Sequence, residues 1–289
     1  MSITPQMIKE LRDETGAGFM DCKKALEDAQ GDMEKARLIL REKGAIIASK
    51  RASKEVNQGV IAGLASEDGR TGVLIDLRCE TDFVARNEEF LAVADELLQQ
   101  VMAIGEEGKL DEILQRPSLT DSTLTVEKRI EVAIGKTGER IAFQNYAVAR
   151  VPEGENGVVD IYIHHNKLVG VMVVLTGSAD TQTLQQLAHE VAIQIAWSTP
   201  NYISKDEIPA EELAKELEIE KQRAINEGKP ESAAENIARG RVQKGFIQKV
   251  ALLEQPYYRD DSKTIGAMLA EKGSDIQVRR FVRLEVGAS

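Results

Sequence analysis

The groups in this chain that could do chemistry are few. They are an adjacent pair, His164-His165, two cysteines, Cys22 and Cys79, and the run Cys79-Glu80-Thr81-Asp82-Phe83-Val84-Ala85-Arg86-Asn87. The histidine pair falls in a strand-like segment, where adjacent side chains point to opposite faces, so the two rings are not expected to chelate one metal together. Hydrolysis needs a nucleophile, a base and an orienting group, and the sequence has no G-x-S-x-G, no H-E-x-x-H and no catalytic-cysteine signature. It also lacks G-x-x-x-x-G-K-[ST], and G-x-G-x-x-G after a strand, the loops that cradle nucleotide phosphates. No catalytic residue, no metal and no cofactor are expected, which leaves binding as the chemistry to explain.

Composition narrows what could be bound. The 289 residues hold 37 Lys plus Arg against 48 Asp plus Glu, a formal net charge of -11. That charge repels a phosphate backbone unless a basic patch is set apart. The densest basic stretch, Lys43 to Lys54, carries only Lys43, Lys50, Arg51 and Lys54 and fits a solvated helix end, so no direct nucleic-acid partner is expected. The segment MSITPQMIKE has no basic stretch followed by an apolar run, and no later segment offers the roughly 18 apolar residues that span a membrane. A cytoplasmic protein with two reduced thiols and no membrane contact is the expectation.

The elements that carry these groups are legible in the spacing of apolar residues. Thr4-Pro5 reads as a helix cap and first helical position, followed by Met7, Ile8 and Leu11 and ended by Thr15-Gly16-Ala17-Gly18. A second helix runs from Asp21 to Ala29, and a third starts at the cap Asp32 and is expected to stop at Gly44. Phe19 and Met20 then lie in a loop, packed inward or offered to a partner. From Gly59 the period becomes strand-like, with Val60, Ile61 and Leu64, a turn at residues 67–70, and Val73, Leu74, Ile75 and Leu77. A helix from about Asn87 to Met102 follows.

The pattern recurs. Gly59 and Gly72 are 13 residues apart, as are Gly157 and Gly170, and a helix from about Thr183 to Trp197 follows the second pair. Two related sheet-plus-helix units make the fold class α+β. An antiparallel helical hairpin is expected between Lys205 and about Gln255, broken at Gly228-Lys229-Pro230 and charged enough to project into solvent or onto a partner. The tail reads as a short helix with Ile265, Met268 and Leu269, then a strand with Ile276, Val278, Val282, Leu284 and Val286 on one face. Domains are expected at 1–55, 56–142, 143–204 with 241–289, and 205–240 for the inserted hairpin.

Under an offset of 98 residues the repeat places Asp82 on Asp180 and Phe83 on Thr181, so the second copy lacks the aromatic. Phe83 is therefore either exposed for a partner or plugs a gap in the local core. Asp82 is either part of that surface or the N-cap of the next helix.

Thr81-Asp82-Phe83-Val84-Ala85-Arg86-Asn87 resembles the T-D-F-V-[AS]-[RK]-[ND] signature of the bacterial elongation factor Ts family. Residues 11–26, Leu-Arg-Asp-Glu-Thr-Gly-Ala-Gly-Phe-Met-Asp-Cys-Lys-Lys-Ala-Leu, resemble its N-terminal motif. The similarity extends through Tyr162-Ile163-His164, Gly228-Lys229-Pro230 and Arg283-Leu284-Glu285-Val286-Gly287. The resemblance implies an N-terminal helical domain of ubiquitin-associated type, a two-part core, a helical hairpin and a C-terminal module. It also implies guanine-nucleotide exchange on elongation factor Tu, with Thr81, Asp82, Phe83 and Val84 reaching the GTPase domain and the aromatic disturbing its magnesium site. By the same match Arg12, Phe19 and Met20 contact that domain, and His164 or His165 faces another domain of the partner. A scaffold that forms a homodimer through its helical hairpin is the rival from a different class, and an enzyme built around His164 and Cys79 is a third.

Overall fold

Thr4 opens the first helix by accepting a hydrogen bond from the Met7 amide at 3.2 Å, and Gly16 closes it in the left-handed region at φ 67°. In the computed structural model, which describes residues 3–287, this is α1 (Pro5–Thr15). It packs with α2 (Phe19–Asp28) and α3 (Met33–Arg51) around Ile8, Leu11, Cys22, Leu26 and Ala36. Two expectations are corrected here. Phe19 and Met20 form the first turn of α2, because the chain is extended at Gly18 and turns helical directly after it. Gly44 does not end α3. It lies against the helix at Val126–Thr137, where a Cβ would come 3.2 Å from the Glu131 carbonyl oxygen, so the missing side chain serves a close helix crossing.

The core begins with β1 (Gln58–Ala65) and β2 (Thr71–Cys79), then a single turn α4 (Asp82–Ala85) and α5 (Glu88–Ile104). Residues 105–150, which the apolar spacing does not resolve, supply α6 (Leu110–Leu114), α7 (Val126–Thr137) and β3 (Ile141–Arg150). The second unit has β4 (Gly157–Ile163), β5 (Val169–Thr176) and α8 (Thr181–Ser198). Then come α9 (Ala210–Asn226) and α10 (Glu231–Val242), joined through Gly228 at φ 82°. Helical structure continues past residue 240 as a π turn (Gln243–Ile247) and α11 (Gln248–Val250). The chain closes with β6 (Pro256–Tyr257), β7 (Asp260–Thr264), α12 (Ile265–Ala270) and β8 (Gln277–Glu285).

Two antiparallel sheets, β1-β2-β3 and β4-β5-β8, result. They pack face to face through Ile61, Leu74 and Ala147 against Val159, Met172 and Val174. Helices α5 and α7 cover the outer face of the first sheet, and α8 and α12 that of the second. At Gly72 a Cβ would stand 2.5 Å from Val159 Cγ1, so this glycine sets how closely the sheets approach. The duplication therefore includes a third strand per unit and a bulge in each. Gln144 has no partner between the pairs Asp76↔Asn145 and Leu77↔Phe143, and Arg279 has none between Val174↔Arg280 and Leu175↔Val278.

The Arg279 bulge overturns the expected single apolar face of the last strand. One extra residue reverses the alternation. Ile276 and Val278 pack toward α8, whereas Val282, Leu284 and Val286 enter the core between the sheets. Among the described residues no helix is long and apolar enough to cross a membrane.

Candidate partner-binding site

The run from Cys79 to Asn87 is fixed at both ends and open in the middle. Thr81 caps α4, its Oγ1 accepting from the Val84 amide at 3.3 Å. Thr81 is itself held by Glu139, to whose carboxylate its amide donates at 3.0 Å and its hydroxyl at 2.7 Å. The neighbouring Glu80 accepts from the Arg140 amide at 2.7 Å and from Arg51, the last residue of α3, at 2.8 Å. At the other end Asn87 caps α5, accepting from the Glu89 amide at 2.9 Å. Ala85 is buried and Val84 packs against the core beneath.

Phe83 projects from this turn with 82% of its surface exposed, so it does not plug the core. Thr81 and Asn87 do the capping, so Asp82 is not a cap. Its carboxylate pairs with Arg86 at 3.2 Å, and both side chains are at least half exposed, which makes the pair a weak one. The repeat alignment is also corrected. Asn87 stands eight residues beyond Cys79, the end of β2, while Asp180, the cap of α8, stands four beyond Thr176, the end of β5. Asp180 therefore corresponds in role to Asn87, and the turn bearing Phe83 is an addition unique to the first unit.

The histidines need a correction of premise. Strand β4 ends at Ile163, and His164 and His165 begin the turn into β5, where the strand alternation no longer applies. Their ring centroids are 4.2 Å apart. His164 Nδ1 is hydrogen-bonded to the Tyr162 hydroxyl at 2.8 Å, and the Tyr162 ring meets His189 edge-on at 5.9 Å. His189 Nδ1 lies 3.1 Å from the carboxylate of Asp160, whose pKa burial raises and His189 partly lowers. Among the described residues no group of three or more His, Cys, Asp or Glu could hold a metal ion.

This turn crosses to the first sheet, where the Ile61 amide donates to the Lys167 carbonyl at 2.7 Å. A groove of about 430 Å³ results, with Asp82 and Arg86 on one wall and His165 and Lys167 on the other. Asp82 and His165, from different units, thus flank one concavity. Arg12, Phe19 and Met20 do not line it; they are exposed on the N-terminal helices, with Phe19 51% and Met20 68% open. Glu139, which fastens the Phe83 turn, carries no local sequence signal, being 58 residues from Thr81.

Cys79 sits beneath the turn, its thiol donating to the Thr81 carbonyl at 3.2 Å. Burial, reinforced by the charge of Glu139, pushes its pKa up to about 12, and burial also raises that of Cys22. At pH 8 neither thiol ionises appreciably. Labelling with a water-soluble disulfide reagent is expected to be slow in buffer and rapid in denaturant; fast labelling of the folded chain would show that either site is open.

Residues 80–288 match the family model described as "Elongation factor TS". The protein named elongation factor Ts in Clostridium kluyveri is 39% identical over 289 residues, covering 99% of this chain and 93% of that one. Its namesake in Chloroherpeton thalassium is 40% identical over 99% of this chain and 98% of its own, and that of Aquifex aeolicus is 38% identical over 99% of both. The matched region begins at the residue before Thr81, at the turn that carries the exposed aromatic, and identity at this level runs across nearly the whole length of each relative. The chain therefore belongs to the elongation factor Ts family.

Proposed function

We propose that this chain is a guanine-nucleotide exchange factor for elongation factor Tu, acting in translation elongation. The observation that carries the reading is Phe83, 82% exposed on a turn whose two ends are hydrogen-bonded in place. An aromatic held open in this way reaches a partner with little conformational entropy left to lose. Thr81, Asp82 and Val84 shape the turn, and Asp82 and His165 flank the adjoining groove. Arg12, Phe19 and Met20 form a separate patch that meets the same GTPase.

The mechanism requires no covalent step and no cofactor. The chain binds the nucleotide-free partner more tightly than the GDP complex, and reciprocity then obliges it to weaken GDP binding by the same factor. Magnesium bridges nucleotide phosphates to the GTPase, so displacing its ligands is a direct route to that weakening. Each 1.4 kcal/mol of differential binding is worth about tenfold. Residues 1–55 act as the N-terminal helical domain and 205–240 as the hairpin; of the two core subdomains expected at 56–142 and 143–204 with 241–289, the first extends to about residue 150, because β3 pairs with β2 in the first sheet.

The test is release of a fluorescent GDP from purified elongation factor Tu at fixed magnesium. Acceleration that saturates with this chain supports the reading, and no acceleration at any concentration overturns it in favour of a scaffold. Glu139→Ala removes both acceptors of Thr81 without touching Phe83. It is expected to lower the exchange rate several-fold and to speed hydrogen exchange at the Val84 and Ala85 amides, whereas stability falls by only about 1 to 2 kcal/mol. Unchanged hydrogen exchange at those amides would show that Glu139 does not fasten the turn.

A further inference from the structure

The outer face of α8 ends on an apolar group with nothing over it. Its buried side is Leu184, Leu187, Ala188, Val191, Ala192 and Ile195, whereas Gln182, Gln186, His189, Ile193 and Trp197 follow one another at helical spacing on the opposite side. Trp197 is 76% exposed. It is the chain's one tryptophan. Midway along the stripe His189 meets Tyr162 and, through it, the turn bearing His164 and His165. The surface from that turn to Trp197 is therefore continuous.

Beside Trp197 is a groove of about 460 Å³, walled by Lys244, Gln248, Lys249 and Tyr258. Its floor is rigid. Gln194 and Gln255 are buried and bonded to each other at 3.1 Å, and the Ser198 hydroxyl donates to Gln255 at 2.6 Å. Glu190 accepts from the hydroxyls of Tyr257 and Tyr258, each at 2.7 Å, and pairs with Arg259 at 2.9 Å, so those charges satisfy one another. Lys244 rides on the π turn, a helical irregularity that re-aims side chains. Among the described residues neither Lys244 nor Lys249 forms an ion pair, and Asp261 is the one carboxylate lining the groove. In a chain with 48 acidic and 37 basic groups, this is a local positive edge around an exposed indole.

We propose that the partner-facing surface extends along α8 to Trp197, which docks as an aromatic anchor on an apolar patch of elongation factor Tu rimmed by carboxylates that meet Lys244 and Lys249. The proposal rests on the exchange-factor reading and adds a second anchor, remote from Phe83. Exposed tryptophans beside a rigid, charged rim are the usual form of an interface anchor.

The test uses the full chain labelled with fluorotryptophan, whose fluorine spectrum contains one line. Adding unlabelled, nucleotide-free elongation factor Tu is expected to shift that line saturably. Trp197→Ala is expected to weaken the complex about tenfold or more with unchanged melting, and Lys244→Glu with Lys249→Glu to slow association and flatten its salt dependence. If the parent accelerates GDP release but the line stays put and Trp197→Ala binds normally, the second anchor is wrong and the exchange reading survives. If no complex forms, both fall. A line that moves with the concentration of this chain alone assigns Trp197 to a second copy and also overturns the proposal.

Discussion

Phe83→Ala is expected to slow the stimulated release of GDP from elongation factor Tu by a factor of about 30 or more, while thermal stability stays within about 0.5 kcal/mol of the parent. The two halves of this expectation have separate causes. Truncating an aromatic anchor at an interface costs about 2 to 4 kcal/mol of binding, and where that binding drives the exchange, the loss appears in the rate. Stability is spared because Phe83 is 82% exposed and the turn is held by Thr81, Glu139 and Asn87 rather than by the ring. Stopped-flow release and a melting curve on the same preparations decide it. Equal release rates with normal melting remove Phe83 from the mechanism, and a large drop in stability shows that the ring packs inward in solution. Phe83→Leu, which keeps an apolar side chain, is expected to fall between the two.

How much of this site could be read in the sequence differs from residue to residue. The run from Thr81 to Asn87 stands out because it interrupts the strand-to-helix pattern, and the second copy's lack of an aromatic leaves Phe83 as either wedge or plug. Exposure excludes the plug. Asp82 was ambiguous for a local reason: Thr81, Asp82 and Asn87 are all good caps, and only backbone geometry tells which amides each one receives. Glu139 is invisible, because its link to Thr81 is made where β3 enters the sheet beside the end of β2, a tertiary event with no periodicity. The histidines failed for a different reason. The strand is correct, but it ends one residue before His164, and a boundary shift of one residue is enough to remove the premise of an argument based on facing.

The fold was readable wherever a residue's local role and its tertiary role coincide. Thr4 and Asp32 cap helices whatever packs against them, and both do so in the structure. Gly44 shows the opposite case. A glycine in a helical pattern reads as a stop, yet α3 runs seven residues beyond it, because what the position requires is the absence of a side chain at the crossing with Gly135. The bulge at Arg279 is equally silent, since the residues on either side alternate normally and the slip exists only relative to the partner strand. The 13-residue spacing revealed two strands per unit but not the third, because β3 and β8 follow insertions of very different length.

Phe90→Ala provides the counterpart to Phe83. It lies seven residues further along, on the first turn of α5, and none of its surface is exposed. It fills the space between α5 and the first sheet, in the cluster that holds Val73, Leu77 and Val101. Removing a buried phenyl ring forfeits its transfer free energy and leaves a cavity, together costing about 3 to 5 kcal/mol. That is a large part of the roughly 5 to 15 kcal/mol that holds a typical domain folded. The urea midpoint is therefore expected to fall sharply, and hydrogen exchange to rise across α5 and β2 more than across α8, because the second sheet has its own helical cover. Ala85 and Val84 rest on the same cluster, so the Phe83 turn should loosen as well, and exchange activity should decline with temperature well before that of the parent. A midpoint lowered by less than about 1 kcal/mol equivalent would mean that α5 closes over the vacated space. In that case the turn would keep its geometry, and low-temperature exchange by Phe90→Ala would match the parent, which Phe83→Ala at the same temperature does not.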